Sequence, residues 1–231
     1  MTSGVDAALL KQGAVAAAGA LAVYGVLRLF RARVYDTLIV NLTTEWYEHV
    51  LTRLPTKANL LDVGIGTGLA LANNKALITS KELTVDGVDY DLDYVKRCLG
   101  LMKKEGLDDA VRVHHASIYD YRGGPYDAVY FSGSLMIMPA PAQALKDAVS
   151  MLKPHGRVYI TQTIQTKRSI LAEYGKPLLK FLTTIDFGQV TYEEDLLLAF
   201  KKAGLSVVEN IAISGSTLTS TRSFRLIVLK P

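Results

Sequence analysis

The chain has 231 residues, of which 49% are hydrophobic, and its 26 basic and 22 acidic side chains give a net charge of +4. This length and apolar content predict one α/β domain with an N-terminal extension. The single cysteine, Cys98, excludes an intrachain disulfide and a cysteine-rich metal site, so we expect no bound metal.

The positive charge is concentrated at the N-terminus. Residues 1–35 hold four basic side chains and one acidic side chain, which is +3 of the net +4 and leaves about +1 for the other 196 residues. A nucleic-acid-binding domain carries its basic side chains on the folded part. We therefore expect no nucleic-acid partner.

Residues 12–27 form an uncharged run of 16, followed by Arg28, Arg31 and Arg33. A helix of this length rises about 24 Å, against about 30 Å for a hydrocarbon core, although Arg28 can snorkel. A cleaved signal peptide fits less well, because the positive charges follow the apolar run. We predict that residues 1–33 form a hydrophobic helix that anchors the protein to a membrane. A helix packed on protein and an organelle-targeting segment remain alternatives.

Arginines next to an apolar run favour the cytoplasmic or matrix side for the chain that follows. We therefore expect a membrane-associated protein in which residues 34–231 form one domain that faces the cytoplasm or an organelle matrix.

An amphipathic helix is predicted between the apolar segment and the domain. Leu38, Leu42, Trp46, Val50 and Leu54 recur with i, i+4 spacing, which indicates one apolar helix face. We expect Trp46 to pack this helix on the sheet of the domain.

The stretch Leu60–Gly68 is an apolar run that ends in Asp62 and then has glycines at alternate positions. It predicts a buried strand, a turn and a helix. Glycines permit positive φ and remove Cβ atoms, so a ligand can lie against the backbone, and the helix start offers free N–H groups. A nucleotide-like ligand is the resulting hypothesis. Leu69 stands where a dinucleotide fingerprint has its last glycine, and no P-loop Gly-Lys-Ser/Thr follows.

A second strand, Leu83–Asp89, ends in an acid that lies 21 positions after Gly68. An acid at the tip of the second strand of a βαβ unit can accept hydrogen bonds from both hydroxyls of a ribose. The alternative role for Asp89 is the N-cap of the helix from Leu92, for which Asp91 competes.

Strands that alternate with helical stretches predict a parallel sheet covered on both faces. Before the sixth strand we predict a helix with Thr191 as N-cap, Glu194 at its third position and Gly204 as C-terminal cap. Val111–Ser117 is predicted to hold a third strand and the loop after it, Pro125–Phe131 a fourth strand, and Leu152–Ile160 a turn and a fifth strand. The sixth and seventh strands are predicted at Ser206–Ile213 and Phe224–Leu229.

These stretches carry a family resemblance. Leu60–Gly68 resembles motif I of the class I S-adenosylmethionine-dependent methyltransferases, (V/L)LD(V/I)GxGxG, at every position. Tyr126–Phe131 resembles their "(F/Y)DxV" and Leu152–Ile160 their "LKPGGxxxI", with His155 in place of the first glycine. The resemblance covers about Asn59 to Pro231. It implies an α/β fold with a doubly wound, mostly parallel seven-stranded sheet whose last strand is antiparallel, with the ligand at the C-terminal ends of strands one, two and four.

The resemblance implies S-adenosyl-L-methionine as cofactor. Asp89 is expected to bind the ribose, Tyr90 to cover one face of the adenine, and Ser117 replaces an aspartate that accepts from the adenine amino group in many relatives. An N-terminal helix often covers the cofactor in small-molecule methyltransferases, so Tyr35 is a further candidate. The predicted cofactor-binding residues are Tyr35, Asp62, Gly64, Gly66, Gly68, Asp89, Tyr90, Ser117 and Ser132.

The loop Phe131–Pro139 lacks the Asn/Asp-Pro-Pro-Tyr motif of many methyltransferases that act on amino groups of nucleic acids or glutamine. Its small and apolar residues resemble the ubiquinone/phospholipid-type and other small-molecule branches. We therefore predict a methyltransferase that acts on a small, lipophilic or membrane-presented acceptor. His114 and His115 are candidate bases, and His155 is expected at the opposite end of the sheet; no catalytic residue is assigned.

Two alternative functions belong to other functional classes than methyl transfer. One is a catalytically silent subunit of a membrane protein complex that keeps the methyltransferase fold. The other is a nicotinamide-dependent oxidoreductase, which Leu69 disfavours.

Overall fold

The computed structural model describes residues 40–168 and 190–231, together with Gly19 and Glu173. These residues form a seven-stranded sheet in the order β3-β2-β1-β4-β5-β7-β6. Strands β1 to β5 pair in parallel, whereas β7 is antiparallel to both β5 and β6, as predicted. The strands are β1 (Asn59–Val63), β2 (Thr84–Asp89), β3 (Val111–His115), β4 (Tyr126–Ser132), β5 (Leu152–Gln165), β6 (Ser206–Ile213) and β7 (Arg222–Lys230).

Helices cover both faces of this sheet. Helices α1 to α4 pack with the side of β1 that carries Leu60, and helices α5 and α6 pack with the side that carries Leu61. Successive residues of a strand point to opposite faces, so β1 is apolar almost throughout. In the described ranges, every helix is too short or too polar to cross a membrane. The helices are α1 (Asn41–Arg53), α2 (Leu69–Ala72), α3 (Lys75–Ser80), α4 (Leu92–Glu105), α5 (Pro141–Ser150) and α6 (Glu193–Ala203).

Two predictions for the N-terminal part concern residues that the structure does not describe. Tyr35, Leu38 and the hydrophobic helix over residues 1–33 lie outside the described residues, apart from Gly19. The domain boundary between residues 33 and 34 stays a prediction for the same reason.

Helix α1 has the predicted apolar face. Trp46, Val50 and Leu54 are buried. The Trp46 ring lies 5.9 Å from the Phe224 ring on β7, and its indole N–H donates to the Ser214 hydroxyl at 3.2 Å. Trp46 therefore packs the helix on the sheet, which confirms the prediction.

The segment after the first glycine loop, Gly64–Gly68, forms two short helices, α2 and α3, that meet at Asn73–Asn74. The Asn74 side chain donates to the carbonyl oxygens of Ala70 at 2.9 Å and Thr44 at 3.0 Å. These bonds join α2 to α1. The interruption between α2 and α3 thus places Asn74 where it links α2 to α1, the helix that packs on the sheet.

The predicted N-cap at Thr191 is wrong. Helix α6 begins at Glu193, with Tyr192 at the N-cap position. The Thr191 carbonyl oxygen accepts the N–H of Gln165 at 2.9 Å, and Tyr192 forms an isolated bridge with the same residue. Pairing with the end of β5 therefore holds this segment extended. The C-terminal cap is confirmed, since Gly204 ends α6 with φ +75°.

Candidate functional site

The first glycine loop turns sharply at the C-terminal end of β1. The N–H groups of Gly64 and Ile65 both donate to the Val88 carbonyl oxygen of β2, at 2.8 and 3.2 Å. Gly64, Gly66 and Gly68 have φ values of +78°, +60° and +72°. These left-handed conformations disfavour any residue with a Cβ, so the glycine pattern follows from the backbone path.

The three glycines differ in what surrounds them. A Cβ on Gly64 would lie 2.6 Å from the Ser134 Cβ, and a Cβ on Gly68 would lie 2.5 Å from the Cys98 sulfur. A Cβ on Gly66 meets no atom within 4 Å in the described part of the chain. Gly64 and Gly68 thus allow close packing inside the protein, whereas Gly66 faces open space that a ligand can occupy.

Asp89 connects this loop to the end of β2. Its side chain is almost completely buried. One carboxylate oxygen, Oδ2, accepts the N–H of Gly66 at 2.9 Å, and Oδ1 accepts the N–H of Asp91 at 2.9 Å. Burial raises the pKa of Asp89, and the two backbone hydrogen bonds oppose that rise. A carboxylate has about four acceptor positions, so two remain for a ligand.

The helix-cap role belongs to Asp91. Its side chain accepts the N–H groups of Asp93 and Tyr94 at the start of α4, at 2.8 and 3.2 Å. Asp89 is therefore not required as an N-cap, and the alternative weighed for it in the sequence is wrong.

Tyr90 and Ser117 flank the same edge of the sheet as Asp89. The side chain of Tyr90 is 74% exposed, and its carbonyl oxygen lies 3.0 Å from Nε2 of His115. The N–H of Ala116 donates to the Asp89 carbonyl oxygen at 3.0 Å, which fixes the loop after β3 beside β2. Ser117, one residue on, is half-buried.

Asp62 is completely buried in β1. Its Oδ2 atom accepts the hydroxyl of Tyr47 at 2.7 Å, while its Oδ1 atom has no hydrogen-bond partner among the described residues. Burial raises the pKa of Asp62 to about 7; the Tyr47 hydrogen bond lowers it, and the Asp89 charge raises it. A buried carboxylate oxygen without a partner favours a cationic hydrogen-bond donor.

Tyr47 is a site residue that the sequence analysis missed. Its ring meets the Tyr130 ring edge-on, with centroids 5.0 Å apart, and the Tyr130 hydroxyl lies 2.7 Å from the Thr161 hydroxyl. A signal was present, because Tyr47 and Leu51 share the inner face of α1 and a buried tyrosine hydroxyl needs a polar partner. The sequence analysis considered the neighbouring Trp46 as the residue that packs this helix and gave Tyr47 no role.

Ser132 ends β4, and its hydroxyl oxygen is buried. The N–H of Gly133 donates to the Thr161 carbonyl oxygen at 2.7 Å, and the Ser134 hydroxyl donates to the Val63 carbonyl oxygen. The end of β4 is thus joined to β5 and to β1. Apart from Tyr35, the predicted cofactor residues therefore line the C-terminal ends of β1 to β4.

Of the histidines named in the sequence analysis, His115 lies beside this set, whereas His114 and His155 do not. Nε2 of His114 lies 3.2 Å from the Asp86 carboxylate, which also binds Arg112. His115 contacts the Tyr90 backbone. His155 lies near the start of β5, at the end of the sheet opposite the glycine loop, as predicted. Among the described residues, no cluster of His, Cys, Asp or Glu is arranged to hold a metal ion.

Residues 31–210 match the sequence profile of a family described as "Methyltransferase domain". The chain belongs to this methyltransferase family. The resemblance to S-adenosylmethionine-dependent methyltransferases is therefore confirmed at the level of family and fold, while the ubiquinone/phospholipid-type branch stays a prediction.

Two curated relatives support the assignment. The chain is 25% identical over 175 residues to Methyltransferase GfsG of Streptomyces halstedii, which is 74% of this chain and 61% of the relative. It is 27% identical over 118 residues to the tRNA1(Val) (adenine(37)-N6)-methyltransferase of Tolumonas auensis, 51% of this chain and 48% of the relative. The chain thus spans about half to three fifths of the length of these relatives.

Solved structures share the fold of the methyltransferase domain. A geranyl diphosphate methyltransferase in complex with S-adenosylmethionine matches with a TM-score of 0.66 at 15% identity, over 87% of this chain and 90% of that one. The [4+2]-cyclase SpnF matches with a TM-score of 0.65 at 16% identity, over 81% and 80%. The fold therefore occurs in proteins whose names describe different reactions.

Proposed function

We propose that the chain is an S-adenosylmethionine-dependent methyltransferase that acts on a small, nonpolar acceptor. The observation that carries this proposal is the contact between Asp89 and Gly66. It joins an acid at the ribose position to the loop glycine that faces open space. Membership of the methyltransferase family supports the type of reaction.

The residues present fit this cofactor at three points. Asp89 has acceptor positions left for two ribose hydroxyls. The exposed ring of Tyr90 is available to cover an adenine face. The Oδ1 atom of Asp62 is complementary to the ammonium group of the methionine part.

S-adenosylmethionine supplies a methyl group that its sulfonium already activates for displacement. The task of the chain is then to orient the nucleophile of the acceptor in line with that methyl group, which is mainly a matter of position. A general base is needed only for a nucleophile that must lose a proton. We assign no residue to that role.

The nonpolar acceptor is proposed from the loop after β4. Leu135 is buried, Met136 is half-buried and Ile137 is 45% exposed, so the loop presents apolar side chains near the end of β4. Structures with this fold include one complex with geranyl diphosphate and another with 2-hydroxy-5-methyl naphthoic acid. Both are small molecules with large apolar parts, which supports the proposal.

Membrane attachment is a separate proposal that comes from the sequence. Its support is the uncharged run over residues 12–27 and the three arginines that follow it. On this proposal, residues 1–33 anchor the protein with its domain on the cytoplasmic or matrix side, and the acceptor is membrane-presented.

Isothermal titration with S-adenosylhomocysteine and with NAD tests the cofactor directly. We expect S-adenosylhomocysteine to bind and NAD not to bind; the reverse result would refute the proposal. Incubation with methyl-labelled S-adenosylmethionine and a panel of quinols, phospholipids, phenols and prenyl diphosphates then tests transfer. Binding of S-adenosylhomocysteine without transfer to any of them would favour the catalytically silent alternative.

A further inference from the structure

The end of β5 and the start of β7 leave part of one sheet face open to solvent. Thr163 pairs with Phe224, and Gln165 pairs with Arg222. Residues paired across two strands share a face, as do residues two apart along a strand, so these four side chains lie together. Three of them are half-buried and Arg222 is exposed. These four residues are called the β5–β7 strip.

The β5–β7 strip begins next to the proposed cofactor site. Thr161, two residues before Thr163 on the same face, pairs with Ser132 at the end of β4. Neighbouring strands lie about 4.8 Å apart and each residue adds about 3.3 Å, so Thr163 is about 8 Å from Ser132. A small molecule on the strip is therefore within reach of a methyl group held at the end of β4.

Phe224 gives the β5–β7 strip an apolar surface of fixed orientation. The buried Trp46 ring lies behind it, with the two ring centroids 5.9 Å apart. Trp46 also lies close to the residue that follows β4, since a Cβ on Gly133 would be 3.5 Å from its ring. These contacts hold the Phe224 ring in place while part of the ring stays accessible to a ligand.

The charge at this end of the two strands is positive. The guanidinium carbon of Arg222 lies 5.5 Å from the centroid of the Phe224 ring. Within residues 40–168 and 190–231, neither Arg222 nor the exposed Lys167, two residues after β5, forms an ion pair. Arg225, by contrast, is buried and bound to Glu193. The Arg222 guanidinium is thus available to an oxyanion, which its planar donors match with two parallel hydrogen bonds.

We propose that the β5–β7 strip binds the methyl acceptor, with an oxyanion of the acceptor on Arg222 and its apolar body on Phe224. The oxyanion is a carboxylate or a phosphate group. This inference rests on the proposed function and deepens it, because it adds one acid group to an otherwise apolar acceptor. Arg222 is then a specificity-determining residue.

The probes are 2-naphthoate and 2-naphthamide, which share their shape and differ in charge, and 2-naphthyl phosphate. Their dissociation constants are measured by NMR titration of the full-length chain in the presence of S-adenosylhomocysteine. We expect 2-naphthoate to bind about fivefold more tightly than 2-naphthamide, the upper end of what an exposed ion pair contributes. The preference should weaken at about 1 M salt because the charges are screened. The ratio of the affinities for the two anions identifies the preferred oxyanion.

Four variants locate the effect. Arg222→Gln should fold, because the side chain is exposed, and it should abolish the preference for 2-naphthoate. Arg222→Lys keeps the charge without the planar donors and should keep part of the preference. The control Arg97→Gln makes the same exchange at an exposed position of α4 and should keep all of it. Phe224→Leu should weaken the binding of 2-naphthoate and 2-naphthamide alike, since it removes ring surface and no charge.

Equal affinity for 2-naphthoate and 2-naphthamide, or a preference that survives in Arg222→Gln, would overturn the inference. So would the absence of binding by both anions, or an equal loss of the preference in Arg97→Gln. If S-adenosylhomocysteine binds without any preference between the probes, the assignment of the strip alone fails. If the preference is present without S-adenosylhomocysteine binding, the proposed function fails and the strip remains an anion site.

Discussion

The Asp89 carboxylate accepts the backbone N–H of Gly66 at 2.9 Å, so the acid at the end of β2 positions the loop after β1. The two features that indicated a nucleotide ligand in the sequence are thus one connected unit. Asp89 therefore has a structural role, since it holds the loop in place, as well as the ligand-binding role proposed for it.

Replacement of Asp89 by asparagine should weaken S-adenosylhomocysteine binding by about ten- to hundredfold, since a hydrogen bond to a charged group contributes about 1.5–3 kcal/mol. Isothermal titration measures the change. Asp91→Asn is the matched control, because asparagine also caps helices well and the Asp91 N–H is retained. Native affinity in Asp89→Asn would contradict the ribose assignment.

Alanine at Gly66 and at Gly68 should have opposite consequences. Gly66→Ala should still fold, at a cost of roughly 1–2 kcal/mol for the left-handed conformation, but should lose cofactor binding because its Cβ enters the open space. Gly68→Ala should destabilise the fold more, since its Cβ meets Cys98 and Met102. Thermal unfolding and titration separate the two effects. Normal binding by folded Gly66→Ala would place the ligand elsewhere.

The raised pKa of Asp62 should make stability depend on pH. Below about pH 4 its carboxyl group is protonated in both the folded and unfolded states. As the pH rises towards 7, the unfolded state loses this proton first, so the free energy of unfolding falls until the folded pKa of about 7 is passed. The total is roughly 4 kcal/mol. Urea denaturation at pH 5 and pH 8 should show roughly 2–3 kcal/mol of this fall in the native protein. A similar fall in Asp62→Asn would contradict the assignment.

Removal of the Tyr47 hydroxyl should change the pH dependence of ligand binding. An ionised Asp62 is needed to hold the ammonium group of S-adenosylhomocysteine, so we expect the affinity to fall as the pH drops below 7. The Tyr47 hydrogen bond lowers the Asp62 pKa; without it, the midpoint should move to higher pH in Tyr47→Phe. Titrations from pH 5.5 to 8.5 measure the midpoint, and an unchanged or lower value would argue against the coupling.

Deletion of residues 1–33 should release the protein from membranes without changing its affinity for S-adenosylhomocysteine. The expected contacts with the cofactor all begin at or after Tyr35. Fractionation of the full-length and shortened chains tests the first part, and titration tests the second. Recovery of the full-length chain in the soluble fraction, without detergent or a partner, would refute the anchor.

The local elements were predictable from the sequence because short-range rules control them. The positive φ values of the first loop require its glycines. Burial on both faces of the sheet makes β1 and β2 largely apolar, with Asp62 and Asp89 at or next to their C-terminal ends. Asp89 could be assigned to the cofactor side for the same reason, because its position at the end of β2 follows from the strand alone. The number of strands and the antiparallel direction of the last one came from the family resemblance, whereas the strand order came from the structure.

Tertiary contacts decided the rest. Thr191 looked like an N-cap, but pairing with Gln165, distant in the chain, keeps it extended. The partner of Tyr47 is known only once α1 lies on β1. Burial and the supply of hydrogen-bond partners depend on which elements meet in space, and a strand or helix read by itself does not contain that information.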